Sequence, residues 1–153
     1  MERIASFCVD HTLLMEGMYL SRIDGDVVTY DLRCCKPNGG QYLENDGIHT
    51  VEHLFATYVR NSMYGDRVVY FGPMGCRTGF YFLVRNLTHC AAICLVREAF
   101  AFISQYAGEI PGASESECGN YREHSLERAR LYSQKMVQVL KDWTEEKLVY
   151  HTK

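Results

Sequence analysis

The pattern of hydrophobic and polar positions along the chain predicts both strands and helices. Strands are expected over three segments: 23–34, 67–71 and 79–84. The first segment carries an Asp24-Gly25-Asp26 turn signal, which is typical of a β-hairpin. A turn rich in glycine and proline at 72–75 separates the other two strands. Together these segments predict a small antiparallel sheet.

Three helices are predicted from apolar stripes with helical spacing. They cover 45–64, 88–106 and 123–141. The first begins at an Asn45 or Asp46 N-cap, and the second begins at Thr88. Because strands and helices do not alternate regularly, the sequence predicts an α+β fold, with an antiparallel β-sheet packed against helices in a single domain over residues 1–153.

Composition narrows the class of protein. The chain has 153 residues, 47% hydrophobic and 23% charged, as in an ordinary globular domain. Its net charge is -3 and its Lys and Arg residues are scattered, so nucleic acid is not expected as a partner. No export signal and no apolar run of about 18 residues is visible, so we expect no membrane partner and a cytoplasmic location. The seven cysteines fit a reducing compartment, with Cys34 and Cys35 as buried thiols.

The motif His49-Thr50-Val51-Glu52-His53 is the strongest indication of chemistry. Residues four apart lie on one face of a helix, so both imidazoles can reach one metal ion. The Glu52 carboxylate lies beside the pair without needing to be a ligand. The alternative is two surface histidines with a helical glutamate between them, but the spacing favours the metal site.

Two histidines leave a divalent metal incomplete, so a third protein ligand is expected together with an open position. The candidates are His11, His89, His124, Cys76 and Cys118. Cys118 lies in a glycine-adjacent turn before a predicted helix, where a thiolate could be presented, although a buried structural cysteine is the alternative. A set of two histidines and one cysteine suits Zn(II) or Fe(II).

Cys76 is a second thiol of interest. It lies in a turn between two predicted strands, where glycines let other groups approach the backbone. The neighbouring Arg77 or a nearby metal would favour a reactive thiolate. A core cysteine at the start of a strand is the alternative.

Five segments of the chain resemble the S-ribosylhomocysteinase (LuxS) family and occur in the family's order. They are 6–11, 31–38, 49–54, 73–81 and 117–120, and they span nearly the whole chain. The resemblance implies cleavage of S-ribosylhomocysteine to homocysteine and dihydroxypentanedione, the precursor of a quorum-sensing signal. It also implies a homodimer with active sites at the subunit interface and one divalent metal per subunit, Fe(II) first, with Zn(II) or Co(II) as alternatives.

The resemblance also assigns roles to individual residues. It makes His49, His53 and Cys118 the metal ligands and Glu52 and Cys76 the proton-transfer pair. Substrate-binding residues would be Ser6, His11 and Arg33, all from the partner chain, and Arg60, which would hold the homocysteine end. Relatives often carry an acid near the substrate's amino group where this chain has Tyr70, so that contact differs here.

Two other functions are compatible with the motif. A metallopeptidase of the inverted-zincin type shares the H-x-x-E-H spacing but needs a distant acidic ligand and a peptide cleft. A non-catalytic metal-binding or redox-sensing module would predict a closed site with four ligands and no function for Glu52.

Overall fold

The computed structural model describes residues 1–151, so residues 152–153 of the predicted domain lie outside the described part of the chain. It contains a four-stranded antiparallel sheet in the order β1-β2-β4-β3. The strands are β1 (Gly17–Asp24), β2 (Val27–Arg33), β3 (Val68–Pro73) and β4 (Gly79–Arg85), and the helices are α1 (Asn45–Arg60), α2 (His89–Ser104) and α3 (Leu126–Val139). The predicted α+β class with an antiparallel sheet is therefore confirmed.

The N-terminal hairpin differs from the predicted strand at 23–34. Ile23 belongs to β1, which pairs antiparallel with β2 so that Asp24 lies opposite Val27. The predicted segment therefore contains the end of one strand, the turn and the whole of the next strand. Most of β1, from Gly17 onwards, was not predicted.

The core lies between one face of the sheet and the helices. The Phe55 ring of α1 stacks on Phe71 of β3, with centroids 3.9 Å apart, and lies 5.3 Å from the Phe100 ring of α2. On β2, Tyr30 and Leu32 point into this core and are fully buried. Since side chains alternate along a strand, the residues between and beyond them occupy the opposite face.

The predicted helices exist, but each is shorter than expected. α1 ends at Arg60 rather than at residue 64, and α2 ends at Ser104 rather than at residue 106. α3 begins after Ser125, whose side chain accepts a hydrogen bond from the backbone N–H of Arg128. The predicted start at Glu123 is wrong because its carbonyl accepts a hydrogen bond from His49.

Close packing of α3 against the start of α1 depends on Gly47. A Cβ atom at Gly47 would lie 2.5 Å from a ring carbon of Tyr132 and 2.8 Å from Cβ of Arg128. The absence of a side chain therefore lets α3 itself pack directly against the start of α1, close to His49. No helix within residues 1–151 is long and apolar enough to cross a membrane.

Candidate metal centre

Helix α1 presents His49 and His53 on one face, as predicted. Their ring centroids are 4.6 Å apart and the ring planes are nearly perpendicular, at 89°. Nδ1 of His49 donates to the carbonyl of Glu123 at 2.8 Å, and Nδ1 of His53 donates to the carbonyl of Pro111 at 2.8 Å. A carbonyl can only accept, so each ring carries a proton on Nδ1, which leaves Nε2 as the nitrogen that faces Cys118.

Cys118 completes this arrangement from a distant part of the sequence. Its Sγ lies 3.3 Å from Nε2 of His49 and 3.9 Å from Nε2 of His53. The backbone N–H of Asn120 points at the sulfur from 3.4 Å, which supports negative charge there. Cys118, a predicted third ligand, therefore lies within reach of both α1 imidazoles.

The loop that holds His53 approaches the imidazole through Gly112. This residue has φ +70°, a conformation that L side chains rarely adopt, and a Cβ atom there would lie 3.3 Å from Nδ1 of His53. The glycine therefore permits the Pro111 carbonyl to lie against the ring.

A third histidine, His124, joins the same cluster. The potential ligand atoms of His49, His53, Cys118 and His124 all lie within 4.8 Å of one another. Burial, together with the neighbouring His49 and His53, lowers the pKa of His124 from 6.5 to about 4, so the ring is neutral at pH 7. Of the five candidates for a third ligand, this cluster includes Cys118 and His124 and leaves the other three outside.

The chemistry of these donors fits a divalent transition metal. Imidazole and thiolate are the ligands of structural and catalytic zinc and of Fe(II), and both α1 histidines have the hydrogen-bonded Nδ1 that orients a metal ligand. Within residues 1–151, Nε2 of His124 is buried without a hydrogen-bond partner, as expected of a group that faces a ligand.

Glu52 lies on α1 between the two histidines in sequence. Its side chain is half-buried, and no hydrogen bond or ion pair within the described 151 residues engages the carboxylate. Arg60 lies at the end of the helix, where its guanidinium donates to the carbonyls of Val68 and Val69 at 3.4 and 3.1 Å. The α1 face therefore carries a free carboxylate, and a guanidinium anchored on β3 lies at its end.

The other predicted substrate-binding residues line a small cavity on the opposite face of the sheet. Its lining includes Ser6, His11 and Arg33, together with Asp31, Tyr81 and Tyr150. Arg33 is buried and donates to Asp31 at 3.1 and 2.6 Å and to Thr78 at 2.6 Å. Burial acts to lower the pKa of Arg33, but Asp31 outweighs it and raises the pKa above the usual value.

Cys76 lies beside this cavity and outside the metal cluster. Its Sγ is 3.9 Å from Nη1 of Arg33 and 3.1 Å from Oγ1 of Thr78. The thiol is exposed, so the alternative of a core cysteine is wrong. In one chain, Cys76 therefore groups with Arg33 and His11 rather than with the α1 histidines.

Comparison with known families decides between the possible functions. The family model described as S-Ribosylhomocysteinase (LuxS) matches residues 4–147. The chain belongs to this family. It is similar to proteins called S-ribosylhomocysteine lyase from Clostridium acetobutylicum (44% identical), Borreliella afzelii (45%) and Finegoldia magna (44%). Each match covers 98% of this chain and 99% of the relative.

The LuxS match covers every residue of the metal cluster and of the cavity except Tyr150. The resemblance noted in the sequence is thus confirmed over nearly the whole chain. Membership in the LuxS family favours a lyase over the metallopeptidase and over the non-catalytic module. His124 was among the ligand candidates, but only the fold shows that it joins the α1 histidines.

Proposed function

We propose that this chain is an S-ribosylhomocysteine lyase that releases homocysteine and dihydroxypentanedione. The observation that carries this proposal is the convergence of His49, His53 and Cys118 beside the unengaged Glu52 carboxylate in a member of the LuxS family. The names of the relatives support the same reaction.

The reaction needs repeated proton transfer because the thioether bond is unactivated in the substrate. A thiolate is a poor leaving group from a carbon with no adjacent activating group. Moving the sugar carbonyl along the chain until the sulfur lies on its β-carbon solves this problem. A base then removes the α-proton, the C–S bond breaks, and the electron pair leaves with the sulfur, which takes up a proton.

We propose that His49, His53 and Cys118 hold one divalent metal, with Fe(II) as the native ion and Zn(II) or Co(II) as alternatives. When bound, such an ion supplies Lewis-acid stabilisation of the negative charge that develops on the sugar oxygens. The protein's part is to fix the three donors in advance, through the carbonyls of Glu123 and Pro111.

Glu52 and Cys76 are proposed to transfer the protons at carbon. The unengaged Glu52 carboxylate can take a proton from a carbon next to the carbonyl and return it to the neighbouring carbon. Cys76 offers an exposed thiol for the same task from the other side of the sugar. General acid–base groups of this kind contribute about 10²–10⁴-fold each.

The position of Arg33 supports a composite active site made by two chains. Arg33 and its cavity lie on the sheet face opposite the face covered by α1. We propose a homodimer in which Ser6, His11 and Arg33 of one chain complete the metal centre of the other. Because Cys76 contacts Arg33, it enters the site from the same chain as Arg33.

The two ends of the substrate are proposed to be held by different groups. Arg60, anchored on the carbonyls of β3, pairs with the homocysteine carboxylate through its remaining N–H groups. Tyr70 stands where relatives often carry an acid, so its hydroxyl replaces a carboxylate near the substrate's amino group.

The cellular role follows from the products. Dihydroxypentanedione would serve as the precursor of a quorum-sensing signal, and homocysteine would return to the methyl cycle. We propose a cytoplasmic location, and the finding that all seven cysteines are free thiols supports a reducing compartment.

The reaction is tested by anaerobic incubation of the purified protein with S-ribosylhomocysteine, following thiol release with and without Fe(II) or a chelator. Metal-dependent release of homocysteine is expected. No release from a folded, metal-loaded dimer would refute the lyase proposal and direct attention to peptide substrates.

Two variants test the residue roles. Glu52→Gln should retain one metal per chain, and its turnover should fall by about 10²–10⁴-fold. The control Glu127→Gln, on the exposed side of α3, should leave turnover unchanged. Cys118→Ala should lose the metal, as measured by elemental analysis after dialysis, whereas Cys90→Ala should retain it. Full activity in Glu52→Gln, or unchanged metal content in Cys118→Ala, would show the assignment to be wrong.

The composite site is tested by mixing inactive variants. In the proposed dimer each site takes Glu52 from one chain and Cys76 from the other, so a mixed dimer of Glu52→Gln and Cys76→Ala chains has one intact site. Since about half of the dimers in an equal mixture are mixed, the mixture should recover about a quarter of wild-type activity. His11 and Cys76 enter each site from the same chain, so both sites of a mixed dimer of His11→Ala and Cys76→Ala chains are damaged and their mixture should stay inactive. Recovery in the second mixture but not in the first would refute the proposed grouping of Cys76 with His11.

A further inference from the structure

His124 has no task among the ligands and proton-transfer groups described above. Its Nε2 atom is buried and, within residues 1–151, has no hydrogen-bond partner. A buried polar atom without a partner costs free energy, so such an atom in a substrate site indicates a group that binds there. The ring lies within the cluster formed by His49, His53 and Cys118.

The hydrogen bonds of Thr50 determine which nitrogen of His124 carries the proton. The Thr50 hydroxyl donates to the carbonyl of Asp46 at 2.9 Å and accepts from the backbone N–H of Ser125 at 2.9 Å. It has no second proton to give, so it accepts from Nδ1 of His124, which lies 3.0 Å away. The Nε2 atom therefore presents a lone pair to the cluster.

The orientation of the ring argues against a fourth metal ligand. His124 stacks on His49, with centroids 3.9 Å apart and planes inclined by 21°. An imidazole lone pair lies in the plane of its ring, so an ion in the plane of one stacked ring lies well outside the plane of the other. His49 and His53, by contrast, are nearly perpendicular and can both point their lone pairs at one ion.

We propose that Nε2 of His124 accepts a hydrogen bond from a sugar hydroxyl group of the substrate inside the cluster. This inference rests on the proposed lyase function. Moving a carbonyl by one carbon removes the O–H and C–H hydrogens of the adjacent carbinol and restores both at the former carbonyl. An acceptor fixed beside that hydroxyl aligns it for the transfer and selects a substrate that carries it.

Two variants of His124 test the roles of its two ring nitrogens separately. His124→Asn retains a short amide that can donate to Thr50 but has no atom at the position of Nε2. His124→Gln places an amide oxygen near that position. We expect kcat/KM for S-ribosylhomocysteine to fall by about 10- to 100-fold in the Asn variant and to recover in part in the Gln variant.

A structural readout tests the placement independently of the reaction. X-ray absorption at the zinc edge of the substrate-free, Zn(II)-loaded protein should show two imidazole ligands and one sulfur, both in the wild type and in His124→Asn. The wild-type measurement does not depend on whether any variant folds. If the wild-type protein releases no thiol, the proposed function fails, whereas the imidazole count still tests the role of His124.

Two results would overturn the inference. Three imidazoles in the wild type, falling to two in His124→Asn, would make His124 a metal ligand. An unchanged kcat/KM in a folded His124→Asn variant with two imidazoles would mean that no substrate hydroxyl depends on Nε2.

Discussion

The buried ion pair between Arg33 and Asp31 should stabilise the fold far more than an exposed pair of the same kind on the neighbouring strand. Arg33 donates from Nε and Nη2 to Asp31 at 3.1 and 2.6 Å, and Arg22 donates from the same atoms to Asp24 at 2.7 and 2.8 Å. The side chains of the first pair are 3% and 2% exposed, and those of the second are 56% and 53% exposed. The two pairs therefore differ mainly in burial.

Replacing Asp31 by Asn leaves the buried Arg33 guanidinium without a counter-charge. Breaking a buried pair by removing one partner costs roughly 3–5 kcal/mol. Asn keeps an oxygen that can accept from Arg33 and from Tyr150, whose hydroxyl donates to Asp31 at 2.8 Å, so we expect the lower end of that range. At roughly 2–4 °C per kcal/mol for a chain of this size, Tm should fall by about 6–12 °C. Asp24→Asn should leave Tm essentially unchanged, because water solvates both groups.

The assay is thermal unfolding at pH 7, which gives Tm, together with urea unfolding, which gives the free energy of unfolding. Both are followed by circular dichroism at one fixed protein concentration because dimerisation would also affect stability. The double variant with Asp31→Asn and Arg33→Gln should recover most of the loss, since no unpaired charge then remains buried. Equal losses for Asp31→Asn and Asp24→Asn would refute burial as the reason. So would a double variant that is less stable than Asp31→Asn alone.

Two further perturbations test packing and charge. Gly47→Ala should lower the free energy of unfolding by roughly 1–3 kcal/mol despite the higher helix propensity of Ala, because its Cβ would lie 2.5 Å from a ring carbon of Tyr132. Gly75→Ala, where a Cβ would meet nothing within 4 Å, should have little effect in the same titration. Burial acts to raise the pKa of Glu16, but the hydrogen bond and charge of Lys135, together with backbone hydrogen bonds, outweigh it, and the pKa lies below the usual 4.5. Its pairing therefore stabilises the fold above pH 4.5 and is lost as the pH falls through the lowered pKa. Glu16→Gln should cost roughly 0.5 kcal/mol at pH 7, and a difference from wild type that stayed constant down to acid pH would contradict this.

The local parts of the candidate site could be predicted from the sequence. The four-residue spacing of His49 and His53 on an amphipathic segment determines that both rings share a face of α1, with Glu52 beside them. Helical spacing also predicted the existence of the three helices. Their ends were less predictable: α1 and α2 stop before the predicted residues 64 and 106, and α3 starts after the predicted residue 123.

Among the five candidates for a third ligand, the family resemblance pointed to Cys118, and only the tertiary structure shows which candidates lie beside the α1 histidines. Spacing left five candidates, and Cys118 lies 69 and 65 positions from the two histidines that it approaches. The start of α3 was mispredicted for a related reason. Glu123 and His124 are residue types that a helix accepts. In the fold, however, the Glu123 carbonyl accepts a hydrogen bond from His49, and the His124 ring stacks on the His49 ring.

The sequence by itself determined the fold class, the H-x-x-E-H face of α1 and the family. Only the tertiary structure decided that Cys76 lies with Arg33, that the Arg33–Asp31 pair is buried, and that His124 keeps a lone pair directed into the cluster. The reason is physical. Helical and strand periodicity depend on neighbours a few residues apart, whereas burial, charge pairing and the protonated nitrogen of a histidine depend on which distant segments pack together.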